Sequence, residues 1–146
     1  MKKKNNIFIK QVKQNSVALI SLFIALSSLT YNTWRNEKTE ENRNQRHAAF
    51  EIIVKINELQ QVIFHHFYDK DTSDKGNLRK GWALILTIDD LSQLLHYPLP
   101  KSSSQLKQSW SDNQQDLNSS QKSVDAVLQS IDYVRKDAQF LLKNLK

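Results

Sequence analysis

Nineteen consecutive residues without a charge, Ser16 to Trp34 (SVALISLFIALSSLTYNTW), constrain this chain more than any other stretch. With a rise of about 1.5 Å per residue, a helix of about twenty mostly apolar residues crosses a hydrocarbon layer of about 30 Å, so the segment is long enough to span a bilayer. The remaining residues must then be sorted into those on one side of the membrane and those on the other.

Charge does the sorting. The formal net charge is +6 and the pI near 9.5, values that suggest nucleic-acid binding. Lys2, Lys3, Lys4, Lys10 and Lys13, however, supply five positive charges before Ser16 with no acid among them. The residues after the span are almost balanced, with none of the clustered basic surface a nucleic-acid site requires, and no nucleic-acid partner is expected. Short Lys-rich segments stay cytoplasmic. The expectation is a single-pass bacterial inner-membrane protein with residues 1–15 as a cytoplasmic tail touching anionic lipid and the C-terminal part periplasmic or extracellular. Tyr31 and Trp34 fall where aromatic side chains anchor the outer end of a span. The competing reading is a signal peptide cut after Ser27, since Ala25-Leu26-Ser27 has the small-residue pattern of a cleavage site.

Within the span, Ala18, Ser21, Ala25, Ser28 and Asn32 recur at helical spacing on one face. Small residues let a second helix approach closely, which makes this face a candidate seam to another copy or to a membrane partner.

Residues 35–46 (RNEKTEENRNQR) contain no apolar side chain and read as a helical stalk, with Lys38 and Glu41 as an i, i+3 pair, or as a linker with a new N-cap at Asn36 or Thr39. The outward domain, 47–146, opens with Ala49, Ile52, Ile56, Leu59 and Ile63 at alternating spacings of 3 and 4, widened by Ile53, Val54 and Phe67. That is an amphipathic helix. A second helix is expected over Leu78–Tyr97, apolar nearly all round and central to the core, ended by Pro98-Leu99-Pro100. From Leu106 to Leu145 a heptad register runs unbroken but is weak at Asn113 and Ser120, so two helices are expected, 102–118 and 121–145, turning at Asn118-Ser119-Ser120. The fold class is all-α: a transmembrane helix followed by an antiparallel bundle of three to four helices.

Candidate chemistry is sparse. Asp69 to Gly76 begins like a calcium loop, but Asp74 stands where the turn glycine belongs and Lys80 where a closing Glu belongs. His65 and Asp69 share a helix face without a third ligand. Asp89 and Asp90 point about 100° apart on a helix and cannot act as a facing dyad, so a buried aspartate of the pair is expected to find Arg79, Arg135 or a lysine, with a ligand contact in a bundle crevice as the alternative. No cysteine, phosphate loop or nucleophile elbow is present, and neither enzymatic activity nor a cofactor nor a metal is expected.

The stretches Tyr31-Asn32-Thr33-Trp34-Arg35-Asn36-Glu37, Glu41-Asn42-Arg43-Asn44, His66-Phe67-Tyr68-Asp69, Gly76-Asn77-Leu78-Arg79, Gly81-Trp82-Ala83 and Asp90-Leu91 together resemble a group of small bacterial proteins with one N-terminal span. The resemblance implies topology and nothing catalytic. Two functions fit: a membrane-anchored helical scaffold for a protein partner or a second copy, and an outward ligand-sensing bundle that signals through a membrane partner. A crevice with converging Arg and Trp side chains would favour sensing, and an exposed apolar patch would favour a protein partner.

Overall fold

The computed structural model describes residues 13–145. Lys2, Lys3, Lys4 and Lys10 lie outside the described residues, whereas Lys13 is exposed. The protein is all-helical, with no strand among the described residues: α1 (Ser16–Phe67), α2 (Leu78–Gln93), α3 (Leu99–Asn113), a 3-10 turn (Gln114–Asp116) and α4 (Gln121–Asn144). It divides into two compact units, residues up to Glu41 and residues from Asn42 onward.

The first unit is helical from Ser16 and buries almost nothing. Every side chain from Val17 to Glu41 is exposed, including Val17 at 76%, Phe23 at 72% and Leu29 at 65%. The polar stretch after Trp34 is helical with no new start at Asn36 or Thr39; Thr39 donates instead to the Arg35 carbonyl at 2.9 Å. Lys38 and Glu41 pair at 2.8 Å, the i, i+3 contact their spacing suggests.

The second unit has one apolar core. Ala49, Ile52, Ile56, Leu59 and Ile63 on α1 are fully buried, as their spacing requires, and they meet Val124, Val127, Ile131 and Val134 of α4 in the same cluster. From α3 come Leu106 and Trp110. Burying a side chain of valine size or larger contributes roughly 1.5–3 kcal/mol, and eighteen of the twenty buried apolar positions are of that size.

Three boundaries differ from the sequence expectation, each for a local reason. α2 stops at Gln93 rather than Tyr97, where the Leu94 N–H folds back to Leu91 and the Leu95 N–H to Ser92, closing the helix in a turn ahead of Pro98. α3 starts at Leu99 rather than 102, since a proline in the first helical turn gives up no hydrogen bond and Pro100 opens the helix instead of only ending the previous one. α3 ends at Asn113 rather than 118, tightening into the 3-10 turn Gln114–Asp116; the heptad run is two helices as expected, and the Ser120 hydroxyl accepts from the Ser123 N–H at 3.2 Å to cap α4.

The apolar richness of α2 also misleads about its place. Leu84, Ile85 and Ile88 are buried, yet Leu86 is 45% exposed, so α2 presents one face and is not the centre of the core. Its close approach to α3 depends on Gly81, where a Cβ would stand 2.5 Å from Trp110 Cζ2.

Candidate functional site

The loop between α1 and α2 is closed on itself. Lys70 adopts a φ of 55°, after which the Asp71 N–H returns to the His65 carbonyl at 3.1 Å. The Asp71 carboxylate then accepts from the backbone N–H groups of Ser73 (3.0 Å), Asp74 (3.1 Å) and Lys75 (2.9 Å). The Asp74 and Ser73 N–H groups are the main reason this carboxyl is held well below the usual carboxylate range. A carboxylate so engaged is a turn-former. Gly76 is buried under this turn, where a Cβ would collide with the Asp71 carbonyl oxygen and the His66 backbone.

The two adjacent histidines part company. His65 Nδ1 lies 2.6 Å from the Asp69 carboxylate near the surface, while His66 is buried with Nδ1 2.8 Å from the Gly76 carbonyl. His47 and His96 do not join them. Among the described residues no group of three His, Asp or Glu side chains is placed to hold a metal ion.

Of the two adjacent aspartates, Asp89 is the engaged one, and its partner is a lysine. Its carboxylate sits 2.8 Å from Lys107 Nζ and accepts from Ser103 at 3.1 Å, tying α2 to α3. Burial alone would push its pKa up, but the hydrogen bonds from Lys107 and Ser103 outweigh burial and hold it below the usual value. Asp90 is exposed beside it.

Tryptophan and arginine do not converge on a crevice. Trp82 and Trp110 meet edge to face at 6.5 Å, with Trp110 fully buried and the Trp82 N–H donated to Gln114 at 2.6 Å. Arg135 is engaged by Asp132 on its own helix and by Asn57 and Gln60 of α1, the last at 2.7 Å.

What sequence reasoning missed is the outer face of α1. Val54, assigned to the buried stripe, is 48% exposed, and Phe50 is 56% exposed beside it. With Arg43, Arg46, His47 and Glu51 they line an open groove of about 360 Å³. Phe64 and Tyr68 continue the exposed side four residues apart, their rings 5.9 Å from each other. The available signal was angular: at about 100° per residue, Phe50 and Val54 fall on the side of the helix away from Ile52 and Ile56.

In the first unit, Ala18, Ser21, Ala25, Ser28 and Asn32 are all exposed on one helix, and the rings of Tyr31 and Trp34 lie 6.1 Å apart. No family model, curated protein or solved structure matches the chain.

Proposed function

We propose that this chain is a single-pass inner-membrane protein, with its N-terminus cytoplasmic and its C-terminal helices forming an antiparallel bundle outside, that binds or scaffolds another protein. The observation carrying this reading is the exposure of the whole apolar segment. The window that is apolar enough to span a membrane has no buried residue, unlike the core helix of a soluble domain, which would hide such a surface. Lipid supplies the missing cover, and the five lysines ahead of Ser16 orient the span.

Within the bundle, the exposed Phe50 and Val54 favour a protein partner over a small ligand. The ligand-sensing alternative gains nothing from Trp110, whose ring is sealed in the core, or from Arg135, which is engaged by Gln60. The test is alkaline extraction of membranes from expressing cells, with the intact mass of the recovered chain and protease digestion of cells whose outer membrane has been opened. The expected result is a membrane-retained chain that keeps residues before Ser28 and loses its C-terminal domain to external protease. A soluble product beginning at Ser28 would refute the anchor, and a protected domain would refute the orientation.

A further inference from the structure

The groove on α1 has a geometry of its own. Arg43, His47, Phe50 and Val54 are spaced 4, 3 and 4 apart; the same register passes through the polar Asn57 and Gln61 before Phe64, with Tyr68 one residue past the end of α1. Spacing of this kind marks the seam of a two-stranded coiled coil, with Arg43 and Phe50 at d and His47 and Val54 at a. In a parallel pair each knob enters a hole made by four residues of the facing helix. A knob at position 47 enters the hole formed by residues 43, 46, 47 and 50, and a knob at position 50 the hole formed by 47, 50, 51 and 54. Those two holes together are the six residues that line the groove of about 360 Å³.

We infer that this face pairs in parallel with the same face of a second copy of the chain, the His47 and Phe50 of each copy seating in the other's groove. The flanking charges favour a second copy in parallel, against the repulsion of Arg43 facing its counterpart at d. Arg46 stands at g and Glu51 at e, five residues apart, the offset at which g of one helix meets e of its neighbour in a parallel pair. By symmetry the attraction forms twice. An antiparallel copy would set Arg46 against Arg46 and Glu51 against Glu51, which repels. Both residues have capacity to spare: Arg46 gives one N–H to the Leu145 carbonyl at 3.2 Å, and Glu51 offers one oxygen to Lys55 at 3.4 Å. The inference rests on the membrane-anchored reading for one point, that two anchored copies leave the bilayer in the same direction.

The chain has no cysteine, so single introduced thiols report contacts without background. Full-length Phe50→Cys and Val54→Cys proteins, oxidised mildly in native membranes, are expected to give disulfide dimers, because facing a and d positions bring their Cα atoms within bonding range. Lys122→Cys and Gln129→Cys, exposed on α4, are expected to stay monomeric. Arg46→Glu added to Phe50→Cys should lose the dimer band, and adding Glu51→Arg should bring it back. Absence of dimers at both 50 and 54, equal dimers at 122, or dimers only from mixed His47→Cys and Val54→Cys copies would overturn the parallel pairing, as would an unrelated protein captured at 50 in place of a second copy. Fractionating the same samples separates the two claims. A soluble chain that crosslinks at 50 refutes the anchor alone, and a membrane-bound chain that does not crosslink refutes the pairing alone.

Discussion

Asp71 shows how one side chain can decide the chemistry of a loop. Its carboxylate is drawn inward by consecutive backbone N–H groups, and that environment depresses its pKa in the folded state. A depressed carboxylate contributes stability that is present above its unfolded value of about 3.9 and is lost as pH falls below it. Asp89, also held low, adds to the same acid window. The wild-type melting temperature should therefore fall between about pH 5 and pH 2, and Asp71→Ala should lower it at neutral pH while flattening that decline. Thermal melts followed by circular dichroism at both pH values check this; an unchanged slope would mean the carboxylate does no folding work. Gly81 is the second residue with a sharp consequence. A methyl group there meets the fully buried Trp110 ring, so Gly81→Ala should cost about 1–3 kcal/mol in chemical denaturation, despite alanine's better helix propensity. A neutral result would mean that α2 and α3 can part without loss.

At the level of elements, the sequence was most legible where a single face is buried. The stripe from Ala49 to Ile63 and the heptad residues of α4 are buried where their spacing puts them, because a 3.6-residue period leaves one side to the core. Legibility failed on α2, where more apolar residues are written than one face can hold. Leu86 was read as core and is exposed, since burial depends on which helix packs alongside, and that is not encoded locally. It failed again at the outer groove of α1, where the spacing groups Val54 with the stripe behind it and leaves Phe50 without a role. The small-residue face of the first unit belongs to this scale too. Replacing Ala25 and Ser28 together with leucine should leave the domain folded but weaken any association made within the span by about 1–2 kcal/mol, read from dimer fraction in detergent. Unaltered association would assign that face to lipid.

For the whole molecule, the two units make different demands. Among the described residues, everything that enters the core lies after Asn42, and Val17 to Glu41 contribute exposed side chains only. A protein comprising residues 42–146 should therefore fold by itself, with a melting temperature within about 4–8 °C of the full chain, the shift that roughly 1 kcal/mol produces in a domain of this size. Failure of that fragment to fold would show that the first unit stabilises the second. The division was readable from hydropathy and charge together, because no charge interrupts Ser16 to Trp34 and no apolar residue interrupts Arg35 to Arg46.

The three tryptophans sit in three distinct surroundings. Trp110 is sealed in the core, Trp82 is half-buried with its N–H on Gln114, and Trp34 is 60% exposed in the first unit. Fluorescence can therefore address each region without an added dye. Trp110 should emit far to the blue and resist acrylamide until the domain unfolds, whereas the proposed anchor requires Trp34 to be the one quenched by brominated lipid, and an unquenched Trp34 would count against that anchor.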